Sequence, residues 1–427
     1  MIAVALTLLL VLIGLSIPVG AALGVLGLVL DPLYSMLPLS RAMGELSWSA
    51  NNEFLLVAIP LFIMLGEVLL RAGFAERMYG AMSLWLSWLP GGLMHANIGA
   101  STLFSATSGS SVATAATVGT VAIPQIKRYG YNEPLFLGSL AAGGTLGILI
   151  PPSINLVIYG VLTNSSVPKL YLAGIIPGFA MAALFMLMII VACVLKPAWG
   201  GKKIHARWPE RLASLTHLAP PMGIFLLVVG SIYAGLATPT EAAALGVLGA
   251  FILAACYRRL TWSMLREVIE GTMRSTAMIM LIVIAASFLN FVMSATGLTT
   301  ALTNSIQGLG LSPAWMLLVV VVFYLVLGCF METLSMMITT IPIVAPIMIG
   351  LGYDPIWLGI VIIVLVEAAL ITPPVGLNLF VVQSLRKTGS MNAVIVGALP
   401  FVFAMFIMLA LLAAFPALAL WLPQVFG

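Results

Sequence analysis

Long apolar segments without a single charged residue follow one another along this chain. The clearest are residues 1–30, 134–168, 170–195, 275–331 and 388–427. Each is longer than the roughly 20 residues that an α-helix needs to cross a bilayer. The first segment lacks the basic start and the cleavage site of a signal peptide, so we interpret it as a retained helix. The pattern predicts an all-α polytopic membrane protein.

The apolar segments divide into full spans and two folded-back segments. Full spans are predicted at residues 2–30, 54–70, 134–160, 169–195, 217–235, 240–256, 277–295, 356–382 and 391–424. The segments at about 92–126 and 313–349 have polar or small residues at their centres, and we predict a re-entrant hairpin of two short helices at each. Amphipathic connectors are expected at residues 31–52, 71–90, 258–275 and 296–312.

Two of the predicted spans contain a double proline that is followed by an asparagine. The first reads PPSIN at residues 151–155 and the second PPVGLN at residues 373–378. Proline breaks the helical hydrogen-bond ladder, and lipid cannot satisfy the backbone groups that are freed. Broken helices at matching positions in two halves indicate a substrate and ion site near the bilayer midplane. The pattern therefore favours a transporter.

The order of the segments repeats along the chain. We divide it into a first repeat, a basic cytoplasmic loop with a linking helix, and a second repeat, at residues 1–195, 196–239 and 240–427. Each repeat contains one hairpin and one broken helix, and the second begins on the opposite side of the membrane. Such inverted repeats suit alternating access, because the two halves can exchange conformations.

Charged residues indicate the orientation and exclude one class of function. Only 7% of the residues are charged, against roughly 25% in soluble domains. With a cytoplasmic N-terminus and a C-terminus on the outer side, every Lys and Arg except Arg41 and Lys169 lies inside, as the positive-inside rule requires. The net charge of +4 accompanies no basic soluble domain, which argues against a nucleic-acid surface.

The sequence contains no motif for enzymatic chemistry. It has no HExxH, GxSxG or Walker pattern, and its three histidines stand apart. The cysteines at positions 193, 256 and 329 lie far apart without metal-binding spacing. We therefore predict that the protein is not an enzyme and has no cofactor, and that an ion gradient drives it.

The first hairpin has a tip rich in hydroxyl groups. Residues 105–120 read SATSGSSVATAATVGT, and we place the tip at Ser108, Gly109, Ser110 and Ser111. Carbonyl and hydroxyl oxygens suit Na⁺, whereas the N–H groups of a helix N-terminus suit a carboxylate. The alternative is a small-residue interface that lets helices pack closely.

Asn155 and Asn378 follow the two breaks directly. Each side-chain amide can bind a ligand, and the alternative is a helix N-cap. Oxygens for a cation would also come from the backbone and hydroxyl groups of Gly144, Thr145, Thr372 and Gly376.

Acidic residues inside apolar segments are further candidates. Glu332 and Thr333 lie at the centre of the second hairpin. Glu332 would neutralise a cation, titrate, or cap the second short helix. For Glu367 we leave a function and a structural hydrogen bond equally open, and we interpret Glu67 as an interfacial residue. Thr238 and Glu241 match a capping box, which predicts a helix start there.

Four motifs together resemble the large membrane subunit of TRAP transporters, the DctM-type M subunit. They are residues 107–119 (TSGSSVATAATVG), 144–153 (GTLGILIPPS), 235–246 (GLATPTEAAALG) and 371–380 (ITPPVGLNLF), and the resemblance runs nearly end to end. It implies an inverted-repeat elevator transporter in the bacterial inner membrane that imports an organic acid anion such as sialic acid or a C4-dicarboxylate, with sodium as the coupling ion. It also implies two partners, a small Q-type membrane subunit on a separate polypeptide and a periplasmic P-type substrate-binding protein.

The resemblance also implies roles for individual residues. Sodium would bind Ser108, Gly109, Ser110, Gly144, Thr145 and Asn155 at the first tip and break, and Glu332, Thr333, Thr372, Gly376 and Asn378 at the second. The substrate would lie between the tips and contact Ser108, Ser110, Ser111, Asn155, Thr333 and Asn378. Two other interpretations remain open, namely a stand-alone sodium/dicarboxylate-type transporter and a non-transporting structural subunit of a membrane complex.

Overall fold

The computed structural model describes residues 2–15, 17–202, 206–298, 300–301, 308, 310–329, 331–386 and 388–426. All regular secondary structure in these residues is helical. Seven helices within this part of the chain are long and apolar enough to cross a membrane, judged by length and composition. Eight of the 17 residues of the predicted connector 296–312 lie outside the described residues.

The first part of the chain forms the predicted spans, a hairpin and a broken helix. Its helices are α1 (Ile2–Gly14), α2 (Val19–Tyr34), α3 (Met43–Asn51), α4 (Ala58–Arg71), α5 (Phe74–Leu86), α6 (Leu93–Ser108), α7 (Ser111–Tyr129), α8 (Glu133–Thr145), α9 (Ile154–Thr163), α10 (Val167–Leu195) and α11 (Trp208–Tyr233). Helices α6 and α7 form the first hairpin. Helices α8 and α9 are the two parts of the first broken helix.

The second part of the chain repeats this order. Its helices are α12 (Pro239–Cys256), α13 (Trp262–Ala295), α14 (Pro313–Leu327), α15 (Thr333–Gly350), α16 (Pro355–Ile371), α17 (Leu377–Arg386), α18 (Met391–Ala414) and α19 (Ala417–Phe426). Helices α14 and α15 form the second hairpin, and α16 and α17 are the parts of the second broken helix. The predicted capping box is confirmed, since Thr238 accepts from the Glu241 amide and Glu241 accepts from the Thr238 amide.

Three helix boundaries differ from the prediction. The segment 2–30 is two helices, because α2 starts only after Pro18, which has no N–H to continue a helix. The last predicted span also divides, since the residue before Pro416 is held out of the helical region. In contrast, the predicted connector 258–275 joins the next span in the single helix α13, because its charged residues are themselves good helix formers.

Helices of the two halves contact one another crosswise. Helix α2 packs on α13, and α4 packs on α12. Around the breaks, α8 packs on α18 and α10 on α16, while α7 packs on α17 and α9 on α15. Each contact has a counterpart in which the halves exchange places, as expected for two units related by a pseudo-two-fold axis. The repeat boundaries at residues 195 and 239, and the opposite orientation of the repeats in the bilayer, stay predictions.

Candidate functional site

A cavity of about 380 Å³ lies where both hairpin tips and both breaks meet the helices α4 and α13. The predicted site residues that line it are Ser108, Gly109, Ser110, Ser111, Asn155, Glu332 and Thr333. The remaining wall includes Gly66, Glu67 and Leu70 of α4 and Ser275, Met278 and Ile279 of α13. Residues that are far apart in sequence thus share one small space.

The first tip is built from the end of α6 and the start of α7. Gly109 has a φ of 59°, a left-handed conformation that a glycine adopts without strain. The hydroxyl of Thr114 donates to the Ser110 carbonyl at 2.7 Å, so the Ser108 hydroxyl is the donor in its 2.9 Å contact with Thr114. The first amides of α7, at Ser111 and Val112, begin a helix and have no intrahelical acceptor. Both residues line the cavity, and such a helix start attracts an anion.

The first tip packs against the first break through main-chain atoms. A Cβ added at Gly147 would lie 2.6 Å from the Ser110 carbonyl oxygen. A Cβ at Gly109 would lie 3.2 Å from the Pro152 carbonyl oxygen. On its other side, the tip meets α4 at Gly66, where a Cβ would lie 3.1 Å from the Cα of Ser108. Carbonyl and hydroxyl oxygens are therefore brought together without intervening side chains.

The first break contains a cis Pro151–Pro152 bond and restarts as α9. Its N-cap is Ser153, whose hydroxyl accepts from the Leu156 amide at 3.4 Å and donates to the Ile148 carbonyl at 2.5 Å. The alternative role of Asn155 as the N-cap is therefore wrong. Asn155 is buried inside the first turn, and its amide contacts the Met337 sulfur at 3.3 Å on α15.

The second tip differs from the first because its helix start already carries an anion. Glu332 is the N-cap of α15, and its carboxylate accepts from the amides of Leu334 and Ser335 at 3.0 and 3.3 Å. The Thr333 hydroxyl donates to the same carboxylate at 2.7 Å. Of the three roles considered for Glu332, the structure shows the cap. A carboxylate ligand is therefore better accommodated at the first tip than at the second.

The second break has the same form, with a cis Pro373–Pro374 bond and Gly376 at a φ of 43°. The Thr372 hydroxyl donates to the Ala368 carbonyl at 2.6 Å, as the Thr145 hydroxyl does to Ala142 at 2.8 Å near the first break. Both hydroxyl oxygens keep lone pairs that can accept from a donor or bind a cation. Gly144, Thr145, Thr372 and Gly376 do not themselves line the cavity.

Asn378 is fully buried behind the first tip rather than exposed to the cavity. Its amide donates to the Ser111 hydroxyl at 2.9 Å and to the Ala141 carbonyl at 3.3 Å. The two asparagines therefore connect each break to the hairpin of the other half. This differs from the predicted grouping, which placed Asn155 with the first tip and Asn378 with the second.

The sequence reasoning missed that Glu67 belongs to an ion-pair cluster in the wall formed by α4 and α13. Glu67 lines the cavity and pairs with Arg71 at 2.9 Å, one helical turn later on α4. Arg71 also lies 3.5 Å from the Glu267 carboxylate and donates to the Glu267 carbonyl at 3.2 Å, both on α13. Glu67 is thus part of a helix–helix contact, and its position at the membrane interface stays a prediction. The signal available in the sequence was the Glu–Arg spacing of four residues.

The cavity has an acidic lining. Glu67 and Glu332 are lining residues, and no Lys or Arg of the described chain is among them. The described residues also contain no group of three or more His, Cys, Asp or Glu side chains that could hold a metal ion. A cation in this region would therefore depend on main-chain, hydroxyl and amide oxygens together with single carboxylates.

Comparisons with known proteins agree with this architecture. Residues 6–418 match the family "Tripartite ATP-independent periplasmic transporter, DctM component". The chain is 36% identical to a C4-dicarboxylate TRAP transporter large permease protein of Pseudomonas aeruginosa, over 91% of this chain and 90% of the relative. It is 31% identical to a sialic acid TRAP transporter large permease protein of Vibrio cholerae, over 96% of each chain.

A solved structure supports the fold separately. The crystal structure of the Alcanivorax borkumensis YdaH transporter, described as having an unusual topology, superposes with a TM-score of 0.64. The superposition covers 95% of this chain and 97% of that chain at 18% identity, which supports the fold alone. The match over nearly the whole chain and the curated relatives decide the family: the chain is a membrane protein that belongs to the DctM family of large permease components of tripartite ATP-independent periplasmic transporters.

Proposed function

We propose that this chain is the large membrane subunit of a sodium-driven, binding-protein-dependent secondary transporter that imports an organic acid anion by an elevator mechanism. The names of the two relatives suggest sialic acid or a C4-dicarboxylate as the kind of substrate. The observation that carries the proposal is the cavity between the tips, which combines an anion-attracting helix start with an acidic lining.

The acidic lining is the argument for cation coupling. Glu67 and Glu332 line the cavity without a described Lys or Arg among the lining residues. An organic anion that enters this space is repelled by both carboxylates, and in a partly dehydrated site such repulsion is stronger than in water. Bound cations reduce this repulsion, so that anion and cation bind more tightly together than separately. Coupled binding of this kind is what a symporter needs.

We place one sodium site at each hairpin tip, together with the break of the same half. The first comprises Ser108, Gly109 and Ser110 of the tip with Gly144 and Thr145 before the break. The second comprises Glu332 and Thr333 with Thr372 and Gly376. Asn155 and Asn378 connect each region to the opposite hairpin, because their amides contact Met337 and Ser111. Binding at either region thereby affects the other.

The substrate carboxylate is assigned to the first tip. The amides of Ser111 and Val112 start α7, and the hydroxyls of Ser110 and Ser111 add further donors. Ser108, Asn155 and Thr333 supply polar atoms on the neighbouring walls of the cavity. Asn378 acts as a positioning residue, since it holds Ser111 from behind.

We propose that the elevator motion occurs at the boundary where the hairpins and broken helices meet α4 and α13, which is where the cavity lies. The hairpins and broken helices contact one another across the halves and would form the moving unit. Helices α2, α4, α12 and α13 contact one another and would form the static frame with a small Q-type membrane subunit. The protein would lie in the bacterial inner membrane with a cytoplasmic N-terminus and a periplasmic C-terminus, and receive substrate from a periplasmic P-type binding protein.

The test is uptake of labelled organic acids into proteoliposomes that contain this chain with its small membrane subunit. Uptake is measured with and without an inward sodium gradient, and with and without the binding protein. Uptake that requires both supports the proposal. Uptake that requires sodium alone assigns the chain to the stand-alone class, and no flux under any condition favours a non-transporting subunit.

A further inference from the structure

We propose that the ion pair of Glu67 and Arg71 on α4 selects substrates by charge, favouring monocarboxylates with hydroxyl or ammonium donors over dicarboxylates of the same length. This inference rests on the proposed transport function and narrows its substrate class. It follows from the two chemically different walls of the cavity. One wall includes the start of α7, and another includes Glu67.

Glu67 is held on its wall by contacts on two sides. Arg71 pairs with it at 2.9 Å. Across the helix contact, a Cβ added at Gly271 of α13 would lie 2.9 Å from the Glu67 carboxyl carbon and 3.0 Å from both of its oxygens. The carboxylate therefore lies directly against the backbone of α13, and its position depends on a residue without a side chain.

Arg71 does not neutralise the cluster of Glu67, Arg71 and Glu267. The guanidinium also faces Glu267 at 3.5 Å and the Glu267 carbonyl at 3.2 Å. One positive charge is thus shared between two carboxylates, and the group of three residues has a net charge of −1. Glu67 is the member that lines the cavity, and Arg71 and Glu267 are not lining residues. An anion in the cavity therefore meets the acidic member of the group.

The substrate class follows from this arrangement. A carboxylate at the start of α7 is favoured by N–H groups and the helix dipole. A second carboxylate that faces α4 is repelled by Glu67, whereas a hydroxyl or ammonium group can donate a hydrogen bond to it. Arg71 acts through Glu67 by reducing this repulsion, so that it is a positioning and charge-balancing residue rather than a substrate ligand.

The test uses three probes of equal chain length: succinate, 4-hydroxybutyrate and 4-aminobutyrate. Their half-saturating concentrations are measured by ligand-induced thermal stabilisation of this chain with its small membrane subunit, in sodium and without the binding protein. We expect the wild type to bind both monocarboxylates more tightly than succinate. Glu67→Gln should lower the half-saturating concentration of succinate about tenfold, which corresponds to about 1.4 kcal/mol, because the repulsion is lost. It should raise that of 4-aminobutyrate by a similar factor, because the attraction for the ammonium is lost, and change that of 4-hydroxybutyrate by about twofold or less, because the glutamine oxygen still accepts a hydrogen bond.

Arg71→Gln should weaken succinate binding most, and Arg71→Lys should restore it because the charge returns. The double variant Glu67→Gln/Arg71→Gln should behave like Glu67→Gln alone, because the Glu67 charge that Arg71 offsets is already absent. Arg266→Gln is the matched control, since Arg266 and Glu270 form an exposed pair of the same spacing on α13 that does not line the cavity.

Three results would overturn the inference. They are a preference for succinate in the wild type, unchanged preferences in Glu67→Gln, and a double variant as impaired as Arg71→Gln, which would make Arg71 a direct ligand. Binding of none of the three probes would overturn the substrate class. Failure of the proposed transport function is distinguishable, because it would appear as absence of sodium-dependent uptake in the wild-type complex.

Discussion

The side-chain amide of Asn378 donates a 2.9 Å hydrogen bond to the hydroxyl of Ser111, which lies 267 residues earlier in the chain. The bond joins the second helix break to the tip of the first hairpin. Its counterpart joins Asn155 of the first break to Met337 of the second hairpin. The two halves therefore build each tip region together, which gives a physical route by which events at one tip reach the other.

Asn378→Ala should impair sodium-dependent uptake and lower stability. The change removes the bonds to Ser111 and to the Ala141 carbonyl in a fully buried position, and unsatisfied buried groups cost about 1–3 kcal/mol. We expect folded protein at near-normal yield with a lower melting temperature and little coupled uptake. Asn51→Ala is the control, because its amide bonds only to Ser47 on an exposed helix. Normal sodium-dependent uptake by Asn378→Ala would contradict the positioning role.

Gly147→Ala should weaken sodium activation. The added Cβ would meet the Ser110 carbonyl oxygen at 2.6 Å and the Ser110 carbonyl carbon at 2.8 Å, so the first tip must move away from the break. The sodium concentration for half-maximal uptake should rise about tenfold or more, because a cation site depends on the distances between its oxygens. Gly230→Ala is the matched control, since a Cβ there meets no atom within 4 Å. An unchanged sodium dependence would show that the contact between Gly147 and Ser110 does not shape the first sodium site.

Glu332→Ala should destabilise the second tip. The variant loses the N-cap of α15, and loss of a cap costs about 0.5–2 kcal/mol. Glu332→Gln keeps one acceptor oxygen and should lose less stability, while its sodium affinity falls because the charge is gone. Asp354→Asn, at the N-cap of α16, controls for the loss of a charged cap away from this cavity. Thermal unfolding measured over a sodium titration gives both the stability and the sodium affinity of each variant. Equal sodium affinity in Glu332→Gln and wild type would exclude Glu332 from the ion site.

Glu367→Gln should leave stability unchanged or increase it. Glu367 is fully buried in α16; its carboxyl oxygens have no hydrogen-bond partner of good geometry among the described residues, and the backbone of Leu149 is a nearby polar group. Replacing an uncompensated buried acid by a neutral group of similar volume removes a desolvation cost. Glu367→Ala should instead lose about 2–5 kcal/mol, by analogy with other large-to-small changes in cores. If both variants are destabilised alike, Glu367 is compensated by its surroundings and the expected gain from neutralising it is wrong.

Local signals in the sequence determined much of the architecture. The double prolines that are followed by an asparagine mark both breaks, because proline removes a helical hydrogen bond, although Pro220 and Pro221 lie inside the continuous helix α11. The Thr238–Glu241 box starts α12 through contacts within one turn. The serine-rich segment becomes the first tip because Gly109 adopts a left-handed turn between two helices. The four family motifs can likewise be recognised from the sequence alone.

Only the tertiary structure decided which of these elements meet. Asn378 bonds to Ser111 of the first tip rather than to the second tip, and Glu67 lines the cavity while it contacts Arg71 and lies against Gly271. Such contacts depend on the packing of helices that are distant in sequence, which no local pattern records. The sequence by itself therefore determined that the chain contains two tips and two breaks, whereas their crosswise arrangement, and with it the charge of the site, came from long-range packing.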